Sequence, residues 1–458
     1  MVKLTVKDIE VFSGGKIVSG DTAAIVPFFS TDTRNIIPGS TFIAIKGKNF
    51  DGRDYVREAL AKGAAGAIVE SGAGLEGVGK DKHLVVVDDA TEAMGSLAAR
   101  IRSHVDIPVM YITDTNRKTT TKEILSHILS SKFKVLKSKK SFNNIIGLSL
   151  TLFDLDPSHE VAVLEIGTNH PGEVPKLASI ARPHMAIITN IGDGHLEFFG
   201  DRNGVFIEKT SLLDLLPPSG MAFLNKDDEL LSGVAKTDDG KKFYGKGEGA
   251  DFGIGDLDRR ADGYGFSVNG REFFVPLEGE HNVYNATAAI AAAEYFGLTP
   301  EEIKESLSKV SLPEMRLEKV RSGDVVFIND SYNANPNSFE CALKVLEKDP
   351  FASKKGVVAG DMMELGAKTE EFHRTLGMSI AEKGIDFLIT IGPNARHMID
   401  GAVRSGMGKD RVVEAEDYRS AADMVRRFSG PDTVVLLKGS RSSRMEEVLK
   451  CFTTFCTR

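Results

Sequence analysis

Two periods of apolar and polar residues run along the chain, and they locate its elements before any residue chemistry is considered. Up to about residue 107, the short apolar runs FIAI (42–45), GAIV (66–69) and LVVV (84–87) alternate with helical patterns such as YVREALAKG. This predicts a small α/β unit over residues 1–106. From Ile107 the strand IPVMYIT enters a polar turn and then the amphipathic TTTKEILSHILSS, the strand-loop-helix order of a nucleotide-binding sheet. A second unit starts there. VAVLEIG (161–167), MAIITNIG (185–192) and MAFLN (221–225) continue it as buried parallel strands, at whose carboxyl ends ligands gather. After Val310, SLPEMRLEKV carries a proline and a charge cluster, and VVFINDS, GVVAGDM, FLITIG and TVVLLKGS then mark a further run of strands. The second boundary falls near Leu312, giving units 107–312 and 313–458. The fold expected is three-domain α/β: a central, mostly parallel sheet of the phosphate-loop type, a smaller α/β domain before it and a Rossmann-like one after it.

A length of 458 residues is enough for about three cores, which agrees with that division. Lys and Arg total 57 against 65 Asp and Glu, a net charge of -8, so no basic field is present to attract nucleic acid or an anionic membrane. No uncharged apolar stretch approaches the roughly 18 residues needed to cross a bilayer, and MVKLTVKDIE lacks the apolar core of a signal peptide. A cytoplasmic protein is expected. Cys341, Cys451 and Cys456 form no disulfide framework and no paired metal signature, so any metal must be held by oxygen or imidazole.

The candidate chemistry begins at VMYIT-DTNRK-TTTKEILSHIL (109–129). Lys118 followed by Thr119 and Thr120 at a helix start is the charge-plus-hydroxyl end of a phosphate loop, with a threonine available to Mg²⁺. The strict G-x-x-x-x-G-K-[ST] pattern fails, and the plain alternative is a surface helix capped by Asn116 or Thr115. Glu165 ends one predicted strand and His195 follows another, so a carboxylate and an imidazole at the same sheet edge could share a Mg²⁺. Taken singly, His195 reads as structural and Glu165 as a helix cap.

The order of TTTKE, FNNIIGLSLTL, LEIGTNHPGE, ITNIGDGHLEFFG, GEHNVYNATAA, MRLE and NDSYNANPNS resembles that of the ATP-dependent Mur ligases, over essentially the whole chain. TDTRNIIPGSTFIAIKGKNFDG, GDMMELG and LLKGSR resemble, within them, the branch that adds D-Ala-D-Ala to UDP-N-acetylmuramoyl-tripeptide in peptidoglycan precursor synthesis. The resemblance implies an amide ligase that acts through an acyl phosphate, uses ATP and Mg²⁺, and works as a monomer. It implies that Thr115, Asn116, Lys118, Thr119 and Thr120 face the ATP phosphates, supported by Asn143 or Asn144. Thr119, Glu165 and His195 would ligate Mg²⁺, joined by a carbamylated Lys209, which without the family reads as a surface lysine. His281, Asn282 and Asn285 would contact adenine, while Arg316 and Asp330 reach ATP from the third domain. Tyr332, Asn333 and Asn335 fall where the dipeptide is handled, and Asp32, Thr33, Arg34, Lys46 and Gly47 match the uridine region.

Three positions depart from the family pattern. Asp114 and Arg117 occupy the two glycine positions of the phosphate loop, and Arg53 stands where a histidine is usual. A non-glycine residue at positive φ costs roughly 1–2 kcal/mol. A carboxylate about 4 Å from a phosphate adds repulsion on the order of 4 kcal/mol at an effective dielectric near 20. Asp114 and Arg117 could instead pair, or Arg117 could turn toward the phosphates. Two alternatives follow: a non-catalytic relative that binds the UDP-peptide with impaired ATP use, and another Mur or folylpolyglutamate synthase-like ligase.

Overall fold

The computed structural model describes residues 3–47, 50–70, 78–235, 240–260 and 262–456, and in them the chain builds three main sheets in succession. The first has five strands in the order Lys16–Ser19, His83–Val86, Gly66–Val69, Thr41–Ile43, Phe29–Ser30. All its pairings are parallel except that of Lys16–Ser19 with His83–Val86. The central sheet has nine, in the order Arg271–Val275, Gly263–Val268, Phe252–Arg260, Lys241–Gly245, Met221–Asn225, Met185–Ile188, Val109–Thr113, Val161–Glu165, Val135–Lys137. It is parallel up to Phe252–Arg260, and the two strands Gly263–Val268 and Arg271–Val275 extend it antiparallel. The third sheet orders Glu318–Ser322, Val325–Asn329, Thr433–Lys438, Lys354–Ala359, Phe387–Thr390, Val412–Glu414, with only its first pair antiparallel. We place the unit boundaries in the connections 104–108 and 308–317, between these sheets.

The parallel strands are buried on both faces, which is why they read as unbroken apolar runs; every residue of Val109–Thr113 and of Val161–Glu165 is buried. The helix Ala90–Ser103 joins the first two units. Asp89 caps it by accepting from the N–H groups of Thr91 and Glu92, and its apolar face enters one core cluster that runs from Leu4 to Phe243. Gly95 lets it approach closely: a Cβ there would lie 3.0 Å from both Ile145 and Ile180. The third unit keeps its own clusters on the two faces of its sheet. No helix among the described residues is long and apolar enough to cross a membrane.

Candidate active site

A cavity of about 400 Å³ lies where the carboxyl edges of the central and third sheets meet. The strand Val109–Thr113 delivers the loop 114–117 to it, and the helix Lys118–Leu129 leads away. No side chain caps that helix. Thr115 Oγ accepts from Gly192 N at 2.9 Å, and Asn116 Oδ1 accepts from Asn335 Nδ2 at 2.6 Å, so neither candidate cap is spent on the helix. An uncapped helix N-terminus at a cavity wall is suited to an anion, and the side-chain cap that the surface-helix alternative requires is not made.

The two altered loop positions behave differently. Arg117 takes φ 84°, so backbone strain falls on it, whereas Asp114 has no positive φ. The Asp114 carboxylate is fully buried, accepting from Thr189 Oγ1 at 2.5 Å and from Lys118 Nζ at 3.1 Å. Burial pushes its carboxyl above the usual range, and the Lys118 charge opposes this. Arg117 instead reaches the third unit, its Nη2 lying 3.2 Å from Cys341 Sγ. Of the two possibilities the sequence left open, the Asp114–Arg117 pairing is not formed, and the carboxylate does not line the cavity. Its effect is indirect: it holds the lysine that the phosphates would need.

Glu165, 2% exposed, lies at the end of its strand. It accepts from Thr119 Oγ1 at 2.8 Å and from Asn143 Nδ2 at 2.9 Å, and Lys122 Nζ stands 3.9 Å away. Asn144 caps the helix Ile145–Phe153 through Gly147 N, yet also lines the cavity. His195 lines it too, with its Nδ1 on the carboxylate of Glu364. Thr119, Glu165 and His195 thus supply hard oxygens and an imidazole along one edge. The described residues contain no group of three Asp, Glu, His or Cys side chains placed to hold a metal ion, so a Mg²⁺ here would complete its shell with phosphate and water, which suits that ion. Lys209 is set apart from these three. It is 1% exposed, does not line the cavity, and its ammonium has no hydrogen-bond partner. Burial, and next the Lys118 charge, push it down to about 7.

His281 and Asn282 start the helix His281–Tyr295 and line the same cavity. Burial, with Arg117 and Lys438 nearby, pushes His281 down to about 3, leaving a neutral imidazole. Asn285 lies beneath, donating to Asn282 Oδ1 at 2.9 Å, so it orients Asn282 rather than lining the cavity. From the third unit, the Arg316 guanidinium sits 4.2 Å from the centre of the Tyr332 ring, and the Tyr332 hydroxyl meets Ser141 Oγ. Asp330 and the Asn333 carbonyl hold Lys438 Nζ at 2.5 and 3.0 Å. Asn335 spans the seam, its Oδ1 also capping the helix Pro336–Glu347.

The remaining candidates are elsewhere. Asp32, Thr33 and Arg34 follow the strand Phe29–Ser30, and Lys46 and Gly47 follow Thr41–Ile43, at the carboxyl edge of the first sheet. Arg34 holds Asp32 through two nitrogens and lowers it to about 2; Arg53 makes the same fork to Asp51.

Three family models match the chain in order: "Mur ligase family, catalytic domain" over residues 26–102, "Mur ligase middle domain" over 112–293, and "Mur ligase, glutamate ligase domain" over 315–441. A Bacillus subtilis relative, UDP-N-acetylmuramoyl-tripeptide--D-alanyl-D-alanine ligase, is 33% identical over 454 residues, 98% of each chain. The chain belongs to the Mur ligase family. Among solved structures, MurF from Acinetobacter baumannii superposes with a TM-score of 0.89 at 29% identity over 99% of both chains. MurF ligase from Thermotoga maritima in complex with ADP gives 0.82 at 28%, covering 94% of this chain and 98% of that one. In this Mur ligase, reasoning from the sequence missed Lys438, Thr189, Ser141 and Glu364 as residues of the site. Lys438 carried a signal, a lysine at the carboxyl end of an all-buried parallel strand. The others become visible only once the sheets are assembled.

Proposed function

We propose that this Mur ligase joins D-alanyl-D-alanine to UDP-N-acetylmuramoyl-tripeptide with ATP and Mg²⁺, through an acyl phosphate, as a cytoplasmic monomer in peptidoglycan precursor synthesis. The observation that carries the reading is the shared cavity: the phosphate loop of one sheet faces Tyr332, Asn333 and Asn335 of the other, in a chain similar from end to end to ligases of that name. A carboxylate acylates poorly at neutral pH, so it must first be phosphorylated, and the charge spread over the transferred phosphoryl group must be met. The uncapped helix N-terminus supplies positive potential, Lys118 and Lys438 would add theirs once released from Asp114 and Asp330, and Thr119, Glu165 and His195 would hold the Mg²⁺. Asn282 and His281 would receive the adenine, and Asp32 to Arg34 with Lys46 and Gly47 the uridine end. Nothing in this chemistry needs a nucleophilic side chain; bringing acid, ATP and amine together supplies much of the rate.

Lys209 is consistent with a carbamate reading, because an unbonded amine lowered to about 7 is largely neutral at pH 8, the form that adds CO₂. Lys209→Ala should lose activity that small added carboxylates partly restore; full activity without them would contradict it. A second reading, a UDP-peptide binder without turnover, draws on the Asp114–Lys118 pair. Phosphate release separates the readings. Release that requires both UDP-N-acetylmuramoyl-tripeptide and D-alanyl-D-alanine is expected. Binding without release would favour the non-catalytic reading, and release with a different amine would indicate another ligase.

A further inference from the structure

The contact between His195 and Glu364 crosses from the central unit to the third, and neither residue is held there by an ordinary backbone. His195 has φ 57° and Glu364 φ 61°, left-handed conformations that residues other than glycine adopt when the surroundings impose them. The segment carrying Glu364 is tied down on both sides. Gly360 N donates to Lys438 O at 2.8 Å, Met362 N to His373 Nε2 at 2.9 Å, and Met363 N to Ser440 Oγ at 2.9 Å. Just beyond it, Gly366 approaches the neighbouring helix so closely that a Cβ would lie 3.3 Å from the Glu197 Cα, and Glu197 N donates to the Glu364 carbonyl at 3.4 Å. Phe372 packs against the apolar clusters of both units. The fold therefore presents this carboxylate to Nδ1 of His195.

With side chains 27% and 39% exposed, the pair adds little to stability. Its consequence is orientation. A carboxylate on Nδ1 keeps the proton there and leaves the Nε2 lone pair for a cation, the arrangement that a carboxylate–histidine–metal triad uses. We propose that Glu364 is a positioning residue for His195, and that docking of the third unit is what sets the histidine ready for the metal. The unit that bears Tyr332 and Asn335 would thus report its closure to the metal site through one contact. The inference rests on the assignment of His195 as a Mg²⁺ ligand made under the proposed function.

Mn²⁺ serves as the probe, titrated by electron paramagnetic resonance into the full chain with a non-hydrolysable ATP analogue. Glu364→Ala should weaken Mn²⁺ binding ten- to a hundredfold, and Glu364→Gln, whose amide oxygen still accepts from Nδ1, should recover part of it. In phosphate release, half-saturating Mg²⁺ should rise in Glu364→Ala while kcat at saturating Mg²⁺ stays within a few-fold. Unchanged Mn²⁺ affinity in both Glu364 variants, with the loss confined to His195→Ala, would overturn the inference and leave the metal assignment standing. Unchanged affinity in His195→Ala would overturn both. Weakened Mn²⁺ binding in a protein that fails to use D-alanyl-D-alanine would support the inference and contradict the proposed substrate.

Discussion

The two seams between the three units are built from opposite materials. Between the first and central units lies one continuous apolar cluster, closed by the ring contact of Phe29 with Phe153 at 4.5 Å and by Arg102, which donates to the carbonyls of Ala181 and Ile107 at 2.9 and 3.0 Å. Between the central and third units the contacts are mostly polar, and several line a cavity: Asn116 with Asn335, Ser141 with Tyr332, His195 with Glu364, Arg117 with Cys341, and Lys319 with Glu278 at 2.7 Å. An apolar seam opens only by exposing its whole area to water. A polar seam exchanges its hydrogen bonds for water or a ligand at small net cost. The first seam therefore holds two units together, and the second is the one expected to open and close around substrates.

The largest effect expected is on the apolar seam. Leu97→Ala, wholly buried in the shared cluster, should cost about 2–5 kcal/mol, whereas Ser141→Ala across the cavity should cost about 1 kcal/mol or less. Urea unfolding compares them, and equal losses would break the contrast. Next is Lys209, buried beneath the polar seam. Its folded value of about 7 lies below the usual 10.5, so between those limits the unfolded chain binds more protons and stability should rise with pH. Lys209→Met should remove that slope and be the more stable protein below pH 7 in CO₂-free buffer. A pH profile identical to the parent's would contradict the burial argument. The smallest effect is a change of shape: an ATP analogue with Mg²⁺, touching Arg316 and Asp330, should favour docking of the third unit. Scattering curves unchanged by saturating ligand would count against it.

Much of this was legible in the chain because the physics involved is local. The apolar runs 109–113, 161–165 and 185–188 are all strands of one parallel sheet, and Lys118 with its threonines starts the helix at that sheet's carboxyl edge. What escaped depends on partners far apart in sequence. The strain at Arg117 was readable from a glycine position, but the partner of Asp114 was not, since Thr189 lies 75 residues away. His195 could be picked out after its strand, while Glu364, 169 residues later, is set against it only by docking of the third unit. Asn285 shares a helix face with Asn282 and was grouped with it, but burial makes it a support. The strands Gly263–Val268 and Arg271–Val275 also went unread.

The central claim is that the polar seam binds ATP through Lys118 while Asp114 holds that lysine back. Calorimetric titration of a non-hydrolysable ATP analogue with Mg²⁺ into the parent, Asp114→Gly, Arg117→Gly and the double variant tests it directly. Releasing Lys118 and the positive-φ strain together should tighten binding at least tenfold, about 1.4 kcal/mol. Because Asp114 and Arg117 hold different partners, the two single effects should add rather than compensate. Equal affinity in the parent and the double variant would contradict the account.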